Sequence, residues 1–129
     1  AKIASWFFSI AVAIIYLQTL FFKFTGAPES IYIFEKVAGT GMEAVARVGS
    51  GVAELISAVL LLIPKTRIYG AILSVFVISG AIVSHLTILG INVQNDGGTL
   101  FILAMTIFVL SLIIAFVHRS DIPFAQKAV

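Results

Sequence analysis

A chain of 129 residues that is 60% hydrophobic and only 11% charged is far from the balance of an ordinary soluble domain. It has room for one domain, residues 1–129, and none for an appended soluble enzyme module. Its formal charge of +2 comes from basic residues grouped at the ends of apolar stretches, with no basic run interleaved with aromatics, so nucleic-acid binding is unsupported. With no cysteine, the chain cannot itself carry dithiol redox chemistry, c-type haem attachment or a cysteine-ligated iron–sulfur cluster.

Four stretches are long enough to cross a bilayer as helices, the one open-ended structure that satisfies its own backbone without water. The first runs from about residue 3 to 24. Lys2 ahead of an apolar run resembles a signal peptide, but the run continues to about Phe22 and no small-residue cleavage site follows, so it reads as a retained first helix. Gly26-Ala27-Pro28 ends it. From Pro28 onward, Ile31, Phe34 and Val37 recur at three-residue spacing away from Glu29, Glu35 and Lys36. This segment reads either as a short amphipathic helix at the membrane surface or as an ordered polar loop.

The second span, about 41–63, opens on Thr40-Gly41-Met42-Glu43, the pattern of a capping box, and stops at Pro64. A tight basic turn, Lys65-Thr66-Arg67, leads to the third span at about 68–90. A polar loop from Asn92 to Gly98 precedes the fourth, at about 99–117. The expected fold is therefore an all-α integral membrane four-helix bundle. Stripes of small residues favour close packing: Ser5, Ser9 and Ala13; Ala46, Ser50, Ala53 and Ser57; Gly70 with Ser74; Gly80 with Ser84. Lys2, Lys65, Arg67, Arg119 and Lys127 fall on one side, against Lys23, Lys36 and Arg47 on the other. That bias favours cytoplasmic termini.

The polar groups within the spans locate the interest. Glu54 lies roughly 15 Å below the outer end of its helix, near the midplane, where an ionisable group usually faces protein or a watery cavity. His85 lies roughly 7–8 Å below the same side. Lys23 closes the first helix there, on the face that carries Tyr16, and Asp96 sits in the outer loop. A cavity lined by Tyr16, Lys23, Glu54 and His85 would be able to pass protons or hold a polar ligand group. The plainer readings are a snorkelling lysine, a packing tyrosine, a histidine bonded to a neighbouring helix and a structural glutamate paired with a serine, amide or histidine. His85 and His118 fall near opposite faces, so one porphyrin cannot reach both, and no tight cluster of metal ligands is present. The eleven phenylalanines either face lipid or flank a flat lipophilic ligand.

Phe22-Lys23-Phe24-Thr25-Gly26 closing the first helix, Arg47-Val48-Gly49-Ser50-Gly51-Val52-Ala53-Glu54-Leu55 leading to Pro64, Gly80 to His85, and Asp96-Gly97-Gly98 before the fourth helix together resemble the DoxX family of small four-helix membrane proteins. The resemblance runs nearly end to end. It implies a four-helix bundle with Lys23, Glu54 and His85 as its polar features. Relatives called DoxD are associated with thiosulfate oxidation coupled to quinone reduction, and others with oxidative-stress complexes. Relatives that handle thiols rely on cysteines, which this chain lacks.

The leading expectation is a small subunit of a quinone-linked redox system in a bacterial inner membrane, with both termini cytoplasmic. Glu54 would accept or donate a proton, His85 would bond the ligand oxygen and Lys23 would favour an anion at the mouth. A quinone or a bound lipid is the expected ligand, and other membrane subunits or a second copy are the expected partners. The alternative is an accessory structural subunit of a larger membrane complex with no catalysis of its own. A proton or solute path ranks last, because the inner halves of the four helices look almost wholly apolar. Whether the chain is itself an enzyme is left open by its residues.

Overall fold

The computed structural model describes residues 2–93 and 96–121, without the side chain of Lys2. Its helices are α1 (Lys2–Thr25), α2 (Pro28–Ala38), α3 (Glu43–Leu62), α4 (Arg67–Ser84) and α5 (Thr99–Val117). A π-helical turn, His85–Leu89, extends α4, and short 3-10 turns cover Thr40–Met42, Pro64–Thr66 and Arg119–Asp121. Four of these segments, Ile3–Thr25, Thr40–Leu62, Pro64–Leu89 and Thr99–Val117, are long and apolar enough to cross a membrane. Lys127 and the loop residues Gln94 and Asn95 lie outside the described residues.

The four long helices form a ring: α1 packs against α3 and α5, and α4 packs against the same two, leaving α1 and α4 on the diagonal. Val12, Tyr16, Leu61, Ala71, Ile107 and Ile114 meet in the middle and are nearly or wholly buried. The closest approach is between α3 and α4. A Cβ on Gly70 would lie 2.7 Å from the backbone nitrogen of Leu61, so only glycine fits there. Of the small-residue stripes, the Ser5–Ser9–Ala13 face is buried and serves packing. The Gly80–Ser84 pair does not: a Cβ on Gly80 meets open space, and both residues face a cavity.

Segment 28–38 is a helix. Pro28 starts it, where the missing N–H is no loss, and its apolar side faces protein rather than lipid alone. Ser30 is buried, Ile33, Phe34 and Val37 line the cavity, and Glu35 and Lys36 are exposed. Packed against α3 and the π turn, α2 lies across one end of the bundle, the cavity end. The opposite end holds both chain ends of the bundle, since Ser5 near the start of α1 bonds His118 after α5 at 2.9 Å; this is the terminal end.

Two local expectations are corrected. The capping box at Thr40 does not form: Met42 occupies the cap of α3 with no side-chain bond, and the Glu43 carboxylate takes the Arg47 Nε instead. A charged donor one turn away outcompetes a neutral hydroxyl or amide. Arg67 is not a surface charge in a basic turn. It is 2% exposed, donates from Nε to Leu61 O at 2.7 Å and lies over the Trp6 ring at 4.0 Å.

Candidate functional site

The site begins where α1 ends. Gly26 takes a left-handed conformation (φ 69°), and Ala27 N–H reaches back to Phe22 O at 3.0 Å. That termination leaves the carbonyl of Lys23 free, and Arg47 of α3 covers it from Nη1 at 2.6 Å. The Lys23 side chain turns the other way, into the bundle, and pairs with the Glu54 carboxylate through Oε1. A Cβ on Gly51 would meet the Phe24 ring at 2.8 Å, so glycine lets the two helices close to this distance. Residues 22–26 and 47–54 therefore lock into one unit. Lys23 is an ion-pair partner and not a snorkelling lysine.

Glu54 is 6% exposed and Lys23 is largely covered. A buried carboxylate has to be paired and hydrogen-bonded to stay charged in such a place. Its second oxygen, Oε2, meets Thr19 Oγ1 only at a long 3.5 Å, so it keeps capacity for another donor. Thr19 itself already donates to Tyr16 O at 2.9 Å.

This ion pair lies in the wall of a cavity of about 710 Å³ lined by α1, α2, α3, α4, the π turn and α5. Ile15, Phe22, Phe34, Val77, Leu103 and Ile107 supply much of an apolar lining, and Thr19, Lys23, Ser30, Ser50, Glu54 and His85 supply polar atoms. Small-molecule sites commonly have this size and this mixture of a mostly apolar wall with a few fixed polar groups. Of the phenylalanines, Phe22 and Phe34 face it, whereas Phe7 and Phe21 are strongly exposed on the bundle's outside.

All five residues read from the sequence line this cavity, but they serve different ends. Tyr16 is 1% exposed, and its hydroxyl bonds Ser74 Oγ at 2.6 Å, so it forms part of the floor and is already satisfied. His85 starts the π turn, and Nδ1 donates to Gly90 O at 3.0 Å. A carbonyl can only accept, which fixes the proton on Nδ1 and leaves Nε2 an acceptor in the neutral ring. Phe101 packs on His85 edge to face at 5.7 Å. Gly90, at φ 78°, allows the reversal that brings its carbonyl back to the ring.

Asp96 is a structural residue. Its carboxylate takes the N–H groups of Val93 (3.0 Å), Gly98 (2.8 Å) and Leu100 (3.1 Å), tying the loop to the start of α5. Burial opposes the charge, but those three amides outweigh it, with His85 adding in the same sense, and the carboxyl is held below the usual aspartate range. A carboxylate so fully engaged is not a proton carrier at neutral pH.

The sequence reading missed the contributions of Thr19, Ser30 and Ser50 to the cavity, and the Arg47 clamp. Thr19 falls between Tyr16 and Lys23 on one face of α1, so helical period alone pointed to it. It also missed a set of buried polar groups toward the terminal end. Ser74 Oγ bonds Ser111 Oγ at 2.7 Å, and Ser5, Ser9, Arg67 and His118 are all buried. The inner halves of the helices are thus not almost wholly apolar. Single hydroxyls scattered one per two turns barely lower mean hydropathy, and only the helix register brings them together.

Compared with known proteins, the chain matches no protein-family model, no curated protein and no solved structure.

Proposed function

We propose that the chain is a DoxX-like membrane subunit that binds a quinone or a similar flat lipophilic molecule in the cavity, as part of a quinone-linked redox system. The observation that carries this reading is the Lys23–Glu54 pair, held in the wall of a largely apolar space of about 710 Å³. A ring with two oxygens fits such a lining. Lys23 is placed to donate toward an oxygen that gains negative charge, and Glu54 Oε2 is placed to accept from a ligand hydroxyl. His85, with Nδ1 committed to Gly90, accepts from a hydroxyl through Nε2 when neutral and donates to an oxyanion only when protonated. The pair of roles fits both forms of the couple, quinone through its carbonyl oxygens and quinol through its hydroxyls, and the two electrons that interconvert them would come from another subunit of the redox system. A bacterial inner membrane with both termini cytoplasmic completes the reading, on the basis of the basic-residue bias.

Photolabelling with an azidoquinone in liposomes tests it. Adducts are expected on α1, α2 and the 77–85 region, and Gly80→Leu, which grows a side chain into the open space beside Gly80, should abolish them. Labelling spread evenly over the lipid-facing surface, unchanged by Gly80→Leu, would refute the reading.

A second reading, an accessory subunit of a larger complex, draws on the outward face of α3. There Val45, Val52, Ile56 and Val59 are exposed around Gly49, whose missing Cβ leaves open space. Such a notch suits another helix at close range, from a different subunit or a second copy. Gly49→Leu would break co-purification with that partner while leaving azidoquinone labelling in place.

A further inference from the structure

Between the cavity floor and the terminal end, buried polar groups recur at regular heights. Tyr16 Oη, Ser74 Oγ and Ser111 Oγ form an unbroken chain with links of 2.6 and 2.7 Å. At the terminal end, Ser5 Oγ bonds His118 Nε2 at 2.9 Å, and His118 Nδ1 bonds Asp121 Oδ2 at 3.0 Å, with Asp121 partly exposed. Ser9 lies between these two groups. It is 0% exposed, and its Oγ has no hydrogen-bond partner. Arg67 Nη2 is orphaned in the same way, on a side chain whose guanidinium stacks on Trp6, one turn from Ser9.

Ser5 and His118 share one level because they are bonded. Counting along α1, Ser9 stands about 6 Å above that level, and counting along α5, Ser111 stands about 10–11 Å above it. Ser9 is thus separated along the axis by about 6 Å from Ser5 and about 5 Å from Ser111. Two hydrogen bonds through one water span about 5–6 Å. An orphaned buried hydroxyl offset along the axis from other hydroxyls by about the length of a one-water bridge on either side is a setting that suits internal water.

We propose that water on either side of Ser9 joins these hydroxyls into a column that conducts protons between the Glu54 cavity and the terminal face. The column deepens the quinone reading, which it supplies with protons from the other side of the membrane, but none of Ser5, Ser9 and Ser111 lines the cavity. Each hydroxyl or water takes a proton on one side and releases one on the other, so no link gains net charge and no oxidant is required. His118 and Asp121 receive or release the proton at the terminal face, and Tyr16 passes it at the cavity floor, where it faces the same space as Glu54. Val12, Ile68, Ala71 and Ile114, all buried, keep the column away from lipid.

The test is proton uptake into liposomes containing the purified chain and a trapped pH dye, driven by a potassium diffusion potential set with valinomycin. Wild type is compared with Ser9→Ala, Ser111→Ala and Ser9→Thr, with thermal melts by circular dichroism showing that each is folded. The column predicts uptake above protein-free vesicles, a fall of at least about tenfold in both alanine variants as the rate-limiting relay is lost, and retention in Ser9→Thr, which keeps the hydroxyl. Uptake no faster than in protein-free vesicles, or equal in all four forms, overturns it. Azidoquinone labelling on the same preparations reports separately on the ligand, because Ser9 and Ser111 lie outside the cavity wall.

Discussion

Replacing Lys23 by methionine strips the Glu54 carboxylate of its only cationic partner among the described residues and leaves it buried. Breaking a buried ion pair from one side costs about 3–5 kcal/mol. An independent bound comes from letting the stranded carboxyl take up a proton. From a reference glutamate pKa of about 4.3, neutralisation at pH 7 costs about 3.7 kcal/mol, so the defect at pH 7 should lie near or below that figure. At pH 5 the same step costs only about 1 kcal/mol, and the variant should recover most of its stability. The double variant Lys23→Met, Glu54→Gln removes both charges and should lie within about 1–2 kcal/mol of wild type, since an apolar or neutral replacement of a whole buried pair is often tolerated. Reversible unfolding in mixed micelles, run at pH 5 and 7 on both variants and wild type, measures all of this. A Lys23→Met protein as stable as wild type at pH 7, or one whose defect is equal at both pH values, would refute the ion-pair account.

Other outcomes follow from the packing and the loop. Gly70→Ala forces a Cβ against the Leu61 backbone at 2.7 Å and should destabilise by about 1–3 kcal/mol in the same assay, whereas Gly80→Ala, facing open space, should be close to neutral. Asp96→Asn keeps one oxygen for the Val93 and Gly98 amides but turns the acceptor of Leu100 N–H into a donor and removes the charge, and should cost about 1–2 kcal/mol at pH 7. Because the Asp96 carboxyl is held below its ordinary value, its contribution is present above about pH 4 and disappears as pH falls through the lower folded value. Wild type and Asp96→Asn should therefore converge in acid; a gap that widens there would contradict the assignment. Arg47→Met exposes the Lys23 carbonyl and frees Glu43, and hydrogen exchange at the end of α1 should speed up while α5 is unchanged.

The fold was legible because its signal is long and redundant. Each span holds many apolar residues, and α1, α3, α5 and α4 taken together with its π turn run within a few residues of the expected limits. The α2 segment was open between helix and loop, since the three-residue spacing of Ile31, Phe34 and Val37 covers too few turns to separate the two. What decided it was a tertiary fact: α3 and the π turn offer Ile33, Phe34 and Val37 something to cover. Glu54, Lys23, Tyr16 and His85 were found through the expense of placing polar groups in a membrane, and they do share one cavity. The division of labour among them was not readable. Asp96 looks like a free acid in sequence, and only the loop geometry shows three amides converging on it. Arg67 looked like a surface charge because nothing local tells that Trp6, some sixty residues away, will cover it. The column through Ser9 escaped for a related reason: a serine in a helix can bond its own preceding turn, as Ser57 does with Ala53 O, and gives no sign of when it does not.

The central claim is that the Lys23–Glu54 cavity holds a quinone-like ligand. Native mass spectrometry of the gently solubilised protein tests it most directly, with wild type, Glu54→Gln and Gly80→Leu side by side. A quinone-sized mass should be retained on the wild-type chain and lost in both variants, including Gly80→Leu, which leaves the ion pair intact. A bare chain in all three forms, or the same adduct on all three, would contradict it.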